Sequence, residues 1–386
     1  MPKEQTTIPI GPQHPALIEP EYLKVSVDGE TITDVEVNLG YLHRGIERLM
    51  QDKNYIQNIF LAERICGICS GAHTVAYSQT IENLLGIDVP ERAKYIRTII
   101  LELERIHSHL LWTGVAGYEI GIDTVFMSAW KDREHVLDLL EGISGNRVNH
   151  GMSTVGGVRR DIGSDMIQRI DKVMDVVESR ARYYANVFLN DKVILSRTEG
   201  IGRLTRVDAE KYSAVGPTAR ASGVEYDIRK DNYAIYGDLE WQLVSAKEGD
   251  VQAKAVVRLN ELLVTASILK QCIKKMPAGE IKVKAPQIVP ANEAVSRVEA
   301  PRGELFYYAR SNGTDKPERI KVRTPTYSNV LTLKPTLVGQ QLADLPIIVA
   351  AIDPCFSCTD RVTLVDINKE DERTVDGMFF RKLNEK

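Results

Sequence analysis

Two pairs of cysteines with the spacing Cys-x-x-Cys lie near opposite ends of this 386-residue chain. Cys66 and Cys69 stand in "ERICGICSGAH", and Cys355 and Cys358 stand in "DPCFSCTDR". Cysteines at this spacing can bind a soft transition metal or an iron–sulfur cluster. They can also form a redox-active pair that cycles between a dithiol and a disulfide. The chain begins without an apolar run, so we expect no signal peptide and we expect the cysteines to stay reduced.

A structural zinc ion is the first alternative for four cysteines in two such pairs. Zinc modules usually hold their pairs within some tens of residues of each other, whereas residues 70–354 separate these two pairs. A zinc ion that joins the two ends of a large domain stays open on spacing alone. A thioredoxin-like dithiol is disfavoured because neither pair follows a βαβ pattern, and a 4Fe–4S cluster on four thiolates is chemically possible.

A catalytic metal also needs nearby groups that move protons and hold fixed charge. His73 and Asp353 lie within four residues of the cysteines, and further polar residues of the right types stand in "APRGE" (300–304) and "GPQHPALIEPE" (11–21). Each of them is more often structural when it is considered singly, and only their combination favours a catalytic site. The candidates are His14, Glu19, His73, Pro301, Arg302 and Asp353.

The fold must bring the two distant pairs together. Residues 21–40 form two alternating runs around an Asp-Gly turn, which predicts a β-hairpin. Apolar residues at helical spacing predict long helices at 91–111, 164–184 and 251–276. From about residue 280 the chain is rich in Pro, Gly and short β-like runs. We therefore expect an α+β fold that is mainly α, with a long helix bundle, a small N-terminal β-hairpin region and an irregular C-terminal part carrying the second Cys-x-x-Cys.

One domain should cover residues 1–361, divided into a β-rich part (1–45), a helical bundle (46–280) and an irregular part (281–361). Residues 362–386 form a C-terminal extension. The formal net charge of −4 and the sequence pI of about 6.1 argue against a nucleic-acid partner. Proteins that bind nucleic acids normally carry more basic than acidic residues. No stretch of the sequence approaches the 18 or so apolar residues that a membrane-spanning helix needs.

The segments around the cysteines carry a family resemblance. "RICGIC" followed by His73, together with "DPCFSC", resembles the large, active-site subunit of nickel–iron hydrogenases. "GPQHPALIEPE", "NLGYLHRGIE" and "EAPRGELFYYARSNG" are similar to the energy-converting, membrane-associated branch of that family. This branch is related to the quinone-pocket subunit of respiratory complex I. The similarity extends from about residue 9 to residue 361.

The resemblance implies a nickel–iron centre held by the four cysteines. Cys66 and Cys355 match terminal nickel ligands. Cys69 and Cys358 match the ligands that also bridge to an iron carrying carbon monoxide and cyanide. A thiolate can bridge two metals because its sulfur has several lone pairs, and a coordinating metal deprotonates the thiol outright.

Further residues match family positions around that centre. Glu19 matches the glutamate to which the proton is relayed, and Arg302 matches the arginine held above the metals. Pro301 and Asp353 match residues that orient the metal ligands. His73 matches a histidine that hydrogen-bonds towards a bridging sulfur.

The family pattern is altered after the second cysteine pair. Better-known soluble relatives have a histidine there that binds a structural magnesium together with a glutamate. This chain reads Thr359-Asp360-Arg361, and an arginine cannot ligate a cation, so magnesium stays open. Our hypothesis is that Arg361 takes the place of the metal and pairs with Glu47. The complex I subunit lacks the four cysteines, so the resemblance favours a metal site over a quinone pocket. His14 is then a candidate for a structural residue that both lineages share.

The resemblance implies the catalytic subunit of an energy-converting hydrogenase. Only Cys272 remains beyond the four ligands, so we expect no Fe–S cluster in this chain and a structural role for that cysteine. The expected partners are a small Fe–S cluster subunit, further ferredoxin-like subunits, membrane antiporter-like subunits and ferredoxin. The subunit should sit peripherally on the cytoplasmic side of the cell membrane. The alternatives are a related complex that reduces sulfane sulfur, and a complex I-like quinone or scaffold subunit with structural zinc. We also predict cleavage after Arg361 in the active enzyme.

Overall fold

Helices with extensive apolar surfaces make up most of the structure, a computed structural model that describes residues 6–366 and 371–375. The fold is α+β and mainly helical, as predicted. The helices are α1 (Ile46–Asp52), α2 (Gln57–Glu63), α3 (Ser70–Leu85), α4 (Glu91–Ile120), α5 (Asp123–Ser144), α6 (Ser164–Asn190), α7 (Lys192–Thr198), α8 (Arg206–Lys211), α9 (Gly216–Arg220), α10 (Val251–Lys275), α11 (Pro325–Asn329), α12 (Leu333–Leu337) and α13 (Leu345–Ala351).

Short antiparallel strands accompany these helices. They are β1 (Thr6–Ile10), β2 (Tyr22–Asp28), β3 (Thr31–Asn38), β4 (Ser153–Thr154), β5 (Gly157–Val158), β6 (Asn292–Ala300), β7 (Gly303–Ser311), β8 (Pro317–Arg323), β9 (Val362–Asp366) and β10 (Asp371–Val375). The predicted hairpin around Asp28 is confirmed as β2–β3. The part beyond residue 280 contains the sheet β6–β7–β8, which the sequence indicated only as short β-like runs.

Helices α4, α5, α6 and α10 pack into a bundle that forms the larger hydrophobic core. On the apolar stripe predicted for α6, Ile170, Met174, Val177 and Ala181 are buried, and Ile167 and Val173 are partly buried against the same core. Helix α4 is longer than predicted and runs on through Gly114, where an added Cβ would lie 2.4 Å from the Trp130 side chain. This close approach keeps α4 and α5 packed together beyond the predicted end at residue 111.

A second hydrophobic core lies between helices α1–α3 and the sheet β6–β7–β8, and it contains the cysteines of both pairs. Helix α3 packs on β6 and β7. In the β6–β7 hairpin Ala300 pairs with Gly303, which leaves Pro301 and Arg302 as the two turn residues. The sheet therefore aims its tight turn at the region where the cysteines meet.

Among the described residues, no helix combines the length and the apolar character needed to cross a membrane. The β9–β10 hairpin is the described part of the C-terminal extension. The rest of residues 362–386, on which the cleavage prediction bears, lies outside the described residues.

Candidate metal centre

Four cysteine sulfurs from the two ends of the chain meet in one buried site. Cys355 Sγ lies 3.4 Å from Cys66 Sγ and 3.2 Å from Cys358 Sγ. The sulfurs of Cys66, Cys69 and Cys358 all lie within 4.8 Å of one another, and all four residues are at most 4% exposed. A disulfide would need about 2.05 Å. Sulfurs at these separations can instead share a metal ion with bonds of about 2.3 Å, so the donor set fits a thiophilic metal.

The first pair is positioned by the start of helix α3. Cys69 precedes the helix directly, and its backbone N–H donates to Cys66 Sγ over 3.2 Å. The buried carboxylate of Glu104 on α4 accepts the N–H groups of Gly71 at 2.6 Å and Ala72 at 2.9 Å. Burial raises the pKa of Glu104 to about 8. Helix α4 therefore fixes the beginning of α3 and, with it, the first cysteine loop.

The second pair lies in a loop after α13 that ends in the 3-10 turn Phe356–Cys358. The N–H of Cys355 donates to Thr326 Oγ1 over 3.1 Å, and Thr324 Oγ1 donates to the carbonyl of Cys358 over 2.9 Å. The two threonines stand at the start of α11. A loop without regular structure is thus held in place by two side-chain hydrogen bonds from a neighbouring helix start.

Arg302 and Asp353 form a buried pair beside the sulfurs. Arg302 donates from Nε to the Asp353 carbonyl and from Nη2 to Asp353 Oδ1, both over 2.7 Å, and from Nη1 to Ser108 Oγ over 3.3 Å. Burial alone would lower the pKa of Arg302, but the Asp353 carboxylate and the cysteine thiolates more than offset it and raise that pKa. Asp353 has a φ of 54°, a left-handed conformation that the two-point contact with Arg302 holds.

The turn that carries Arg302 lies against the backbone at the start of α9. A Cβ added to Gly216, which has a φ of 65°, would lie 2.2 Å from the Arg302 carbonyl oxygen. A Cβ on Gly303 would lie 2.6 Å from the Gly216 nitrogen. Both positions therefore need glycine. This backbone contact fixes the position of the turn that carries the Arg302 guanidinium.

Glu19 reaches the second cysteine pair from the N-terminal segment. Its Oε1 accepts from Ser357 Oγ over 3.0 Å and lies 3.9 Å from Cys355 Sγ, while its Oε2 accepts the Ser357 N–H over 3.0 Å. Burial and the neighbouring Cys355 thiolate raise the pKa of Glu19. Glu21 is more deeply buried, and burial raises its pKa to about 8. Two carboxyl groups of raised pKa therefore lie on one side of the site.

His73 lies on α3 in the same core. Its Nδ1 is 2.7 Å from Tyr307 Oη, and its Nε2 has no hydrogen-bond partner among the described residues. Burial lowers the pKa of His73 to about 3, so the imidazole is neutral at ordinary pH. The hydrogen bond to a bridging sulfur that the resemblance implies is not among the contacts of this part of the chain, although the free Nε2 is the atom that could make one.

Arg361 and Glu47 form the ion pair that our hypothesis predicted. Arg361 Nη2 lies 3.3 Å from Glu47 Oε1, which also accepts the N–H of Val322 over 2.9 Å. Lys321 Nζ lies 3.2 Å from Glu47 Oε2. Cationic side chains thus surround this carboxylate, as the Arg361 hypothesis requires.

Two residues considered in the sequence lie away from the sulfurs. His14 is exposed, and its Nδ1 accepts the N–H of Ala16 over 3.1 Å. Cys272 is buried in the larger hydrophobic core on α10. Burial raises the pKa of Cys272, which disfavours the reactive thiolate form of this side chain.

Sequence reasoning did not single out several residues that position the site. Three of them, Arg44, Ser357 and Asp360, stand in or next to the motifs on which the resemblance rests. The sequence did not show the contacts that join one motif to another. Glu104 could have been noticed as a carboxylate next to the apolar stripe of a predicted helix, since such a residue is costly to bury without partners.

Comparisons with known proteins define the class. The family model described as "Respiratory-chain NADH dehydrogenase, 49 Kd subunit" matches residues 119–292 and 287–361. The model described as "Nickel-dependent hydrogenase" matches residues 44–113, which include the first cysteine pair. The chain belongs to this family of hydrogenase and complex I subunits, a family of oxidoreductases, and the resemblance seen in the sequence is confirmed.

Individual relatives narrow the comparison. The "Membrane-bound hydrogenase subunit alpha" of Pyrococcus furiosus is 44% identical over 94% of this chain and 89% of its own length. The "Carbon monoxide-induced hydrogenase" of Rhodospirillum rubrum is 40% identical over 92% of this chain and 99% of its own length. A chain of the membrane-bound sulfane sulfur reductase, described as an archaeal respiratory membrane complex, matches with a TM-score of 0.89 and 34% identity, covering 94% of this chain and 100% of that chain.

Proposed function

We propose that this chain is the catalytic subunit of an energy-converting hydrogenase, which interconverts hydrogen with protons and electrons. The observation that carries the proposal is the meeting of four buried cysteine sulfurs with a carboxyl group at Cys355 and a buried guanidinium nearby. A structural zinc site would need only the sulfurs. The additional acid and fixed positive charge favour chemistry at the site.

The four cysteines would hold nickel, and Cys69 and Cys358 would also hold an iron with carbon monoxide and cyanide ligands. When bound, this pair of metals supplies the binding and heterolytic cleavage of hydrogen. The chain supplies the thiolates, and hydrogen bonds among the four side chains lower the pKa of Cys69 while they raise that of Cys358. Metal binding requires deprotonated ligands, so these shared protons would be released.

Proton transfer would be the task of Glu19. Its Oε1 lies 3.9 Å from Cys355 Sγ, a distance that a small side-chain movement can shorten to a hydrogen bond. Ser357 holds both carboxylate oxygens and keeps the group aimed at the sulfur. Because the pKa of Glu19 is raised, the carboxyl group can hold a proton closer to neutral pH than an exposed glutamate can.

Arg302 would supply a permanent positive charge next to the reacting groups. Its contacts with Asp353 and Ser108 leave the guanidinium little freedom, so it is organised before any substrate arrives. Charge that is fixed in a buried site stabilises developing negative charge without reorganisation.

Electrons would leave through a partner, because Cys272 is the one cysteine left and it lies in the hydrophobic core. A small Fe–S cluster subunit, ferredoxin-like subunits, membrane antiporter-like subunits and ferredoxin are the partners we propose. We also propose a peripheral position on the cytoplasmic side of the membrane; the membrane-bound hydrogenase among the relatives supports the association with a membrane complex.

A second candidate is reduction of sulfane sulfur by a similar metal site. The high structural similarity to a sulfane sulfur reductase favours it specifically. A complex I-like quinone or scaffold subunit with structural zinc is the third reading, and the match to the 49 kDa family model supports it.

The test is to isolate the full chain with its partners and measure metal content, infrared absorption and turnover. We expect nickel and iron, infrared bands of carbon monoxide and cyanide, and hydrogen evolution. Cys66→Ser should abolish the nickel and the activity, because a hydroxyl is a poor substitute for a thiolate on nickel. Normal hydrogen turnover in Cys66→Ser would contradict the ligand assignment, zinc alone would support the scaffold, and activity with sulfane sulfur only would support the second candidate.

A further inference from the structure

We propose that Arg44 and Asp360 are positioning residues that hold the two cysteine pairs together, and we call the contacts of these two side chains the staple. The inference rests on the proposed metal site. Among the described residues, Arg44 donates to the backbone on either side of the cysteine pairs, and Asp360, two residues after Cys358, accepts from the backbone of residues 44–46.

The guanidinium of Arg44 bridges the two cysteine motifs. Nη1 donates to the carbonyl of Arg64 over 2.8 Å, and Nη2 donates to the carbonyl of Ile65 over 2.8 Å. Nη2 also donates to the carbonyl of Ser357 over 2.6 Å. The first two carbonyls directly precede Cys66, and the third lies inside the second pair. One planar group therefore sets the distance between the two motifs.

The carboxylate of Asp360 makes the reciprocal contact. Oδ1 accepts the N–H groups of Arg44 at 2.7 Å and Gly45 at 3.2 Å, and Oδ2 accepts the N–H of Ile46 at 2.9 Å. Gly45 has a φ of 66°, and this left-handed turn lets successive N–H groups converge on one carboxylate. His43 Nδ1 lies 3.2 Å from Asp360 Oδ1. The segment 43–46 is thereby fastened to the end of the second motif.

Physical reasons suggest that these contacts matter to the site more than an ordinary surface pair. Hydrogen bonds with one charged partner are shorter and stronger than neutral ones, and each hydrogen bond described for the staple has such a partner. The staple closes a loop that contains most of the chain. Part of the entropy loss of bringing the four thiolates together therefore occurs on folding, before a metal ion binds. A metal ion then meets ligands that are already gathered.

The experiment uses the full chain purified without metal, with nickel(II) alone as the probe. Nickel affinity is measured by competition with a chelator, read from the thiolate-to-nickel absorption. Arg44→Ala should weaken nickel binding 10–100-fold, the range typical for residues that orient metal ligands. Amide hydrogen exchange of residues 44–46 and 355–360 should accelerate in the same variant. Arg44→Lys should give a nickel affinity and an amide exchange rate between those of the wild type and those of Arg44→Ala. An ammonium group carries charge but lacks the planar fork that reaches several carbonyls.

Arg48→Ala is the matched control, since Arg48 lies four residues further along the chain and pairs with the exposed Asp52 at 2.8 Å. It should leave nickel affinity and exchange unchanged. If Arg44→Ala does not fold, Asp360→Asn tests the other half of the staple, because an NH2 group replaces one of the carboxylate oxygens that accept the N–H groups of residues 44–46. The proposal would be overturned if Arg44→Ala kept the wild-type nickel affinity and amide exchange. It would also be overturned if the single variants Arg44→Lys and Asp360→Asn both kept them. A wild-type chain that binds no nickel would refute the proposed function instead, while the exchange comparison would still judge the staple.

Discussion

Two buried polar regions lie close together in this molecule and differ in how their polar groups are satisfied. One is the metal centre. The other, which we call the charge cluster, lies between α4, α10 and the start of the β6–β7 hairpin, and all its members are buried. It consists of Glu102, Arg105, Arg220, Asp227, Arg229, Glu261 and Glu299.

In the charge cluster, cations and carboxylates face one another at contact distance. Arg220 Nη1 lies 2.7 Å from Glu299 Oε1, and Arg229 Nη2 lies 2.8 Å from Asp227 Oδ2. In the metal centre, by contrast, His73 Nε2 and Asp353 Oδ2 have no hydrogen-bond partner among the described residues. Pairing in the charge cluster holds this part of the fold together, whereas the two open atoms beside the four cysteines can contact a group that binds there.

Glu19→Gln gives the largest expected effect on the metal-centre side of this comparison. The amide keeps the shape and part of the hydrogen bonding of the carboxyl group but carries no titrating proton. Hydrogen turnover should fall about 10²–10⁴-fold while nickel and iron stay bound, since general acid–base groups contribute this much. Hydrogen–deuterium exchange with solvent measures the relay directly. Unchanged exchange would move the relay to another residue, with Glu21 as the first to test.

Glu102→Ala probes the opposite side of the comparison. Glu102 accepts from Tyr236 Oη at 2.6 Å and from Thr265 Oγ1 at 3.0 Å, and it contacts Arg105 and Arg229 at 3.2–3.3 Å. Removing the carboxylate leaves two buried guanidinium groups without it, which should lower the free energy of unfolding by about 3–5 kcal/mol.

Urea unfolding of the metal-free chain measures this effect. Glu134→Ala, which removes an exposed carboxylate paired with Arg147, is the control and should change stability little. If Glu102→Ala were as stable as that control, pairing in the charge cluster would not be what holds this part of the fold together.

Glu21→Gln sharpens the comparison through pH. Burial raises the pKa of Glu21 from the usual 4.5 to about 8. Between these values the native chain holds a proton that the unfolded chain has released, so the free energy of unfolding falls as pH rises from 4.5 to 8. The amide of Gln does not titrate, and the variant should show a flatter dependence. Unfolding curves at pH 5 and pH 8 decide this, and an unchanged slope would mean that Glu21 is not the source.

Cys272→Ala should have the smallest effect. The side chain lies in the apolar core and behaves as a small hydrophobic group, so its loss should cost about 1 kcal/mol of stability. Metal content and hydrogen turnover should stay at wild-type values. Loss of metal in this variant would show that the cysteines have been divided wrongly between core and centre.

The sequence predicted the features that depend on local pattern. Apolar stripes predicted α4, α6 and α10, and the Asp-Gly turn predicted the β2–β3 hairpin. The true end of α4 was not predictable because Gly114 reads as a weak helix position. Its packing against Trp130, which only the tertiary structure reveals, stabilises the helix there.

The candidate site divides in the same way. The cysteines, Glu19, Arg302 and Asp353 were predictable because their motifs are specific, and the structure brings them together. The contacts that set their positions were not predictable. Arg44 reaches the carbonyl of Ser357 across most of the chain, and no local pattern encodes such a contact.

The wide separation of the two cysteine pairs has a consequence for biosynthesis. Translation adds about 5–20 residues per second, so the second pair follows the first from the ribosome after roughly 15–60 s. During that interval a nascent chain offers a metal ion two of the four thiolates. The complete donor set exists only after Cys358 has been synthesised. The order of the motifs along the chain therefore delays assembly of the four-thiolate site until both motifs have left the ribosome.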